Sequence, residues 1–105
     1  MKTKDITSYT ELQAEISVSE KSFLLLYKRG AEQSDCALKR INGQSVTDSY
    51  PLLLADVNQV RDIHPRLEVT TAPSLVVFDQ GKVINVIKGC QTEAAYASIL
   101  SGREL

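Results

Sequence analysis

Apolar runs of strand length recur along the chain, and segments with helical spacing of apolar residues separate them. Ser22–Tyr27 is a continuous apolar run, which is typical of a strand buried on both faces of a sheet. Val83–Lys88 mixes polar residues among its apolar ones, which indicates a strand near a sheet edge that runs back antiparallel after a turn at Asp79–Lys82. The pattern predicts three further strands: Leu52–Val57, Ser74–Phe78 and a short first strand at Asp5–Ile6.

Helix starts are marked by residues whose side chains cap backbone N–H groups. The predicted helices are Tyr9–Ser17 behind a Ser8–Glu11 capping box, one capped by Ser34 or Asp35, a short one at Gln59–Ile63 that stops before Pro65, and one capped by Thr92. The second helix carries Cys36 in its first turn, and the last one turns Tyr96 and Ile99 inward. This order predicts an α/β fold with a mixed four- to five-stranded sheet and helices on both faces.

Length and charge limit the classes of function. The chain has 105 residues, which suits one domain over residues 1–105, and its 12 basic and 13 acidic residues give a net charge of −1. Nucleic acids and acidic membrane surfaces need a basic excess, so neither is expected as a partner. One histidine and two distant cysteines give no metal-binding spacing, and no glycine-rich phosphate loop is present. We therefore expect neither a metal nor a cofactor.

The two cysteines, Cys36 and Cys90, carry the candidate chemistry. The chain shows no apolar segment that could serve as a signal peptide or membrane span, so we expect a cytoplasmic protein. A lasting structural disulfide is rare in that compartment. Each cysteine is therefore interpreted either as a buried small hydrophobic residue or as a reactive thiol.

Four features of the chain resemble the thioredoxin family. They are a strand at Ser22–Tyr27 leading through a loop to the helix with Cys36, the stretch Val57-Asn58-Gln59 after a buried strand, the pattern V-x-x-x-P-S-x-x-x-F over Val69–Phe78, and the Asp79–Lys82 turn followed by Gly89. The family places its hairpin turn and a glycine bordering its active site at these last positions. The resemblance covers about Ile6 to Leu100 and implies a thioredoxin-like fold.

The chain departs from the family at the residues that carry the family's activity. The family motif W-C-G-P-C corresponds here to Glu32-Gln33-Ser34-Asp35-Cys36, so Gln33 replaces the first cysteine and only the second remains. Tyr27 stands where the family has a buried aspartate that takes the proton of the second thiol. The family's two-thiol cycle therefore cannot run at this motif. An alternative alignment makes Cys36 the first residue of a one-cysteine motif, but it brings the cysteine too close to Pro73 in sequence for the family.

The reactivity of Cys36 depends on its ionisation. A helix N-terminus favours the thiolate, and a free thiol with a pKa of about 8.5 is only a few per cent ionised at pH 7 without such help. The charged neighbours in sequence oppose one another, since Lys28, Arg29 and Lys39 are positive whereas Glu32 and Asp35 are negative. A reactive thiol and an inert buried thiol both remain open.

The resemblance places Cys90 and the Pro73 loop beside the helix that carries Cys36. Cys90 is then a candidate partner for Cys36, provided that their Cα atoms lie about 4.4–6.8 Å apart. The family's proline is cis, and its loop presents backbone groups to an extended substrate segment. The substrate-binding residues implied by the resemblance are Gln33, Thr71, Ala72, Pro73 and Gly89.

Two functions remain in competition. In the first, the chain takes part in thiol–disulfide exchange or redox homeostasis through Cys36, with or without Cys90, and its partners are protein thiols or disulfides or a low-molecular-weight thiol. In the second, the chain is a non-catalytic binding module that holds an extended peptide in the Pro73 groove. His64 is expected on a surface loop without a catalytic role. The oligomeric state stays open.

Overall fold

The fold is a five-stranded mixed sheet with helices on both faces, as the sequence predicts. A computed structural model describes residues 3–42 and 51–101. The elements in chain order are β1 Thr3–Asp5, α1 Tyr9–Ser17, β2 Lys21–Tyr27, α2 Glu32–Asn42, β3 Leu52–Asp56, β4 Ser74–Asp79, β5 Lys82–Lys88 and α3 Glu93–Leu100. None of the helices in these residues is long and apolar enough to cross a bilayer.

The strand order β1-β3-β2-β4-β5 places β2 at the centre of the sheet. β1, β3 and β2 pair in parallel, whereas β4 pairs antiparallel with both β2 and β5. β2 and β3 therefore end at the same edge, where β4 begins: Tyr27 lies opposite Asp56, and Leu26 lies opposite Ser74. We call this the carboxyl edge, and the candidate functional residues gather there.

Strand β2 is buried on both faces, because its alternate side chains enter two different cores. Leu24 and Leu26 belong to the core beneath α1, whereas Phe23 and Leu25 belong to the core beneath α2 and α3. All four side chains are at most 1% exposed. The continuous apolar run seen in the sequence is thus the middle layer of a three-layer fold.

Helix α1 has the boundaries that its capping box predicts. The Oγ atom of Ser8 accepts a hydrogen bond from the N–H of Glu11 at 3.1 Å. The Glu11 carboxylate in turn accepts hydrogen bonds from the N–H and the hydroxyl of Thr7, at 2.7 and 2.9 Å. These bonds, that from the backbone N–H foremost, lower the pKa of Glu11. The cap sets the register that buries Leu12 and Ile16.

The predicted helix at Gln59–Ile63 is wrong, because this segment forms turns. The carbonyl of Asp56 accepts hydrogen bonds from the N–H groups of Gln59 and Val60, at 3.0 and 2.8 Å, and no helix follows. Pro65 lacks the N–H that would continue a helix, and so short a helix does not repay the cost of nucleation. Turns suffice to bury Val60 and Ile63 in the core beneath α1.

Candidate functional site

A disulfide bond joins Cys36 of α2 to Cys90, which lies between β5 and α3. The two Cα atoms are 5.9 Å apart, within the range that a disulfide requires, although the residues are 54 positions apart in sequence. Both cysteines are partly exposed at the surface. The structure therefore brings the two candidate thiols together, and neither is a lone buried residue.

Helix α2 begins earlier than the sequence predicts. The carbonyl of Ala31 accepts the first helical hydrogen bond from the N–H of Asp35 at 2.9 Å, so neither Ser34 nor Asp35 caps the helix. Ser34 instead accepts a hydrogen bond from the N–H of Lys28 at 2.9 Å, which fixes the loop before the helix. Cys36 consequently lies in the second turn, where the helix dipole favours a thiolate less than it does in the first turn.

Side chains of α2 hold the loop that carries Cys90. The amide oxygen of Gln33 accepts a hydrogen bond from the N–H of Cys90 at 3.3 Å, and Arg40 donates to the carbonyl of Gln91 at 2.8 Å. Gln33 is the residue that replaces the first cysteine of the W-C-G-P-C motif. The residue that replaces the first cysteine therefore holds the backbone of Cys90, the cysteine that pairs with Cys36.

The hydroxyl of Tyr96 fixes the same loop from α3. It accepts a hydrogen bond from the N–H of Gln91 at 3.0 Å and donates one to the carbonyl of Gly89 at 3.3 Å. Burial raises the pKa of Tyr96, although the hydrogen bond from Gln91 and the charge of Arg40 act in the opposite direction. The hydroxyl therefore stays neutral at physiological pH and keeps donating to Gly89.

The Pro73 loop adjoins the Cys90 segment at the carboxyl edge. The Ala72–Pro73 peptide bond is cis, and the Pro73 carbonyl accepts a hydrogen bond from the N–H of Gly89 at 2.8 Å. Gly89 has a φ of +79°, a conformation that glycine adopts far more readily than other residues, so a larger residue would disturb the turn before Cys90. Within the described chain, the N–H and C=O of Ala72 have no hydrogen-bond partner.

A pocket of about 440 Å³ opens beside the Pro73 loop. Residues of the carboxyl edge and of the segment before β4 line this pocket, which we call the edge groove: they include Lys28, Asn58, Arg61, His64, Thr71 and Ala72. Thr71 and Ala72 thus line a pocket, whereas the other three residues of the expected substrate-binding set, Gln33, Pro73 and Gly89, contact the disulfide segment or its neighbours. Within the described ranges, no group of His, Cys, Asp and Glu side chains could hold a metal ion.

Solved structures match the chain over nearly its whole length. A thioredoxin from Malassezia sympodialis superposes with a TM-score of 0.83 over 95% of this chain and 92% of that one, at 16% identity. A mutant thioredoxin from Halobacterium salinarum gives 0.86 over 99% and 92%, at 16% identity. Mitochondrial thioredoxin 3 from Saccharomyces cerevisiae, in its oxidised form, gives 0.80 over 96% and 92%, at 20% identity. The chain has a thioredoxin-like fold.

The thioredoxin-like assignment rests on structure, because no protein-family model and no curated protein matches the chain by sequence. Identities of 16–20% relate the folds and leave the activities to be argued from the site itself. The activity must therefore be argued from the Cys36–Cys90 pair, which differs from the two cysteines of the W-C-G-P-C motif.

A buried carboxylate lies at the carboxyl edge, on β3 and not on β2. Tyr27 is buried at the end of β2, and Arg29 donates to its hydroxyl at 3.4 Å. The carboxylate is that of Asp56, directly opposite on β3, with a side chain only 8% exposed. Asp56 pairs with Arg29, Nε to Oδ2 at 3.7 Å, and accepts a hydrogen bond from the N–H of Asn58 at 3.0 Å.

Sequence reasoning missed the residues that hold Cys90 and those that charge the edge groove. The spacing of α3 places Tyr96 in the core, but its hydroxyl bonds to Gly89 and Gln91, whose positions depend on the path of the loop before the helix. The available signal was that a buried tyrosine hydroxyl needs a hydrogen-bond partner. His64, expected on a surface loop, is partly buried and lines the groove.

Replacing Ser34 by alanine is expected to lower the free energy of unfolding by about 1–3 kcal/mol. Ser34 is fully buried, and its loss leaves the Lys28 N–H without its partner. Urea unfolding followed by circular dichroism measures the change. Ser17→Ala is the matched control, because Ser17 is exposed and its hydroxyl bonds only to the Ala14 carbonyl, so less than about 0.5 kcal/mol is expected. Equal effects of the two substitutions would show that the Ser34 contact contributes nothing specific.

Proposed function

We propose that the chain is a thiol–disulfide exchange protein whose redox pair is Cys36 and Cys90 in place of a C-x-x-C motif. The observation that carries this proposal is the position of the pair. Two partly exposed cysteines are bonded to each other, and Cys90 lies in a segment that is tied to the Pro73 loop through Gly89. An exposed disulfide is accessible to an attacking thiolate. The proposal includes a cytoplasmic location, where a glutathione pool would return the pair to its dithiol form.

The exchange proceeds in two displacements that balance electrons and protons. A thiolate of the partner attacks one sulfur of the Cys36–Cys90 bond, so a mixed disulfide forms and the other cysteine leaves as a thiolate that takes up a proton. A second thiol of the partner then loses its proton and attacks the partner's own sulfur in the mixed disulfide, and the remaining cysteine leaves as a thiolate that takes up a proton. The partner gains a disulfide, and the chain gains two electrons and ends with two thiols. In the reverse direction, the dithiol form reduces a partner disulfide.

The hydrogen bonds around Cys90 support this cycle because they do not depend on the sulfur. Gln33 and Arg40 bond to backbone groups of Cys90 and Gln91. When the disulfide opens, these bonds keep the Cys90 segment next to α2. A nearby second thiol makes resolution of a mixed disulfide intramolecular and therefore fast compared with attack by an outside thiol.

The test is equilibration of the native protein with glutathione buffers of graded redox ratio, followed by acid quenching, alkylation and peptide mapping by mass spectrometry. We expect interconversion between two thiols and a Cys36–Cys90 disulfide, with a reduction potential above about −300 mV, below which structural disulfides typically lie. The single variants Cys36→Ser and Cys90→Ser should stop at a glutathione adduct on the remaining cysteine, which shows which sulfurs are accessible.

A different result would remove the redox assignment. If glutathione neither reduces the native disulfide nor adds to the single variants until the protein is unfolded, the bond is a structural cross-link. The second candidate function, a non-catalytic binding module, would then stand alone. It is favoured by a separate observation, the unpaired backbone of Ala72 beside the edge groove, which needs no sulfur chemistry to hold an extended peptide.

A further inference from the structure

The edge groove carries positive charge that the described acidic residues leave unpaired. Lys28 and Arg61 both line the pocket, and within residues 3–42 and 51–101 neither forms an ion pair. Arg61 donates through Nε to the carbonyl of Asn58 at 3.3 Å, a contact that does not offset its charge. Asp56, the buried acid at this edge, is already engaged by Arg29 and by a backbone N–H. The groove therefore attracts negative charge.

Packing anchors the backbone on either side of Arg61. Val60 and Ile63 are buried in the core beneath α1, and Arg61 lies between them in sequence. The Asp62 carboxylate accepts a hydrogen bond from the N–H of Tyr9 at 3.1 Å, which ties the same segment to the start of α1. A cation on an anchored segment loses less conformational freedom when it meets a ligand charge than one on a mobile loop.

The groove also offers backbone groups to an extended chain. Ala72 lines the pocket, and its N–H and C=O have no partner within the described chain. The neighbouring Thr71 carbonyl is already occupied by the hydroxyl of Ser74 at 2.8 Å, so the pairing position is Ala72. Side chains of an extended segment alternate in direction, and every second one would therefore point toward the pocket.

We propose that the edge groove binds an extended acidic peptide segment of a partner protein. The partner backbone pairs with Ala72, and carboxylates at alternate positions lie against Lys28 and Arg61. His64 lines the same pocket. This inference rests on the proposed function, because it names the class of partner that would present a thiol or disulfide to Cys36 and Cys90.

The experiment measures non-covalent binding of a short, fluorescently labelled, cysteine-free peptide with glutamate at alternate positions, using the oxidised protein and fluorescence anisotropy. A peptide with glutamine in place of every glutamate is the matched ligand. We expect the glutamate peptide to bind about tenfold more tightly than the glutamine peptide, and this preference to shrink as salt is raised. The double variant Lys28→Gln/Arg61→Gln should lose the preference.

The control variant is Lys82→Gln, which removes one exposed cation at the hairpin end of the sheet, opposite the carboxyl edge. It should bind the glutamate peptide as the unmodified protein does. Equal affinity for the two peptides, or equal weakening by the control and the groove variants, would overturn the inference. Binding of glutathione without binding of either peptide would also overturn it and assign the groove to a small thiol. Since the peptides lack cysteine, none of these results depends on whether the disulfide exchanges.

Discussion

Removal of the Cys36–Cys90 disulfide is expected to lower the free energy of unfolding by about 2–4 kcal/mol. The bond joins residues 54 positions apart, a loop for which restriction of the unfolded chain alone amounts to about 4 kcal/mol. The measurement is urea unfolding of the Cys36→Ser/Cys90→Ser double variant beside the oxidised protein. The expected effect is a lower midpoint, because the variant regains the freedom of the unfolded chain.

Dithiothreitol provides the control for this prediction. It should lower the stability of the native protein to that of the double variant and leave the double variant unchanged. If the double variant and the oxidised protein unfold at the same urea concentration, the prediction is wrong. In that case the disulfide adds no stability beyond that of the hydrogen bonds that Gln33 and Arg40 make with the backbone of Cys90 and Gln91.

Replacement of Tyr96 by alanine is expected to cost about 3–5 kcal/mol, the range found when large aromatic side chains are removed from cores. Tyr96 is 1% exposed and packs in the core beneath α2 and α3, against which Cys90 also packs. The substitution removes the ring and the two hydrogen bonds that the hydroxyl makes to the loop. Urea unfolding gives the stability, and the rate of reduction by dithiothreitol, expected to rise, reports on the loop.

The conservative variant Tyr96→Phe separates the two contributions. It keeps the ring but leaves the carbonyl of Gly89 and the N–H of Gln91 without this partner, for a cost of about 1–2 kcal/mol. Its disulfide should still be reduced faster than that of the native protein. An unchanged reduction rate in both variants would mean that Tyr96 supports the core and does not position Cys90.

Most of the fold was predictable because local signals and burial agree. The capping box at Ser8 and Glu11 sets the start of α1, and the continuous apolar run of β2 follows from its burial between two cores. The helix predicted at Gln59–Ile63 failed because periodicity cannot distinguish a short helix from successive turns that bury the same residues. The start of α2 was misplaced because Ser34, a residue that often caps helices, bonds instead to the preceding loop.

The site was less predictable because its parts are distant in sequence. The distance between Cys36 and Cys90 depends on the packing of α2 against the segment after β5, which the sequence alone did not supply. Lys28 comes from the loop between β2 and α2, whereas Arg61 and His64 come from the segment between β3 and β4. Nothing local to these residues indicates that they line one pocket. Only the resemblance placed the Pro73 loop near Cys90, and it did not reveal that Gln33 would bond to the Cys90 backbone.

The path of the disulfide also determines how the protein responds to a pulling force. In the oxidised protein, the chain from Cys36 to Cys90 is a closed ring that includes β3, β4 and β5. Tension applied outside the ring passes through the sulfur atoms, so the ring cannot be drawn out. Its 54 steps correspond to roughly 180–190 Å of extended chain. Reduction releases this length, and the redox state thereby sets how far the molecule stretches under load.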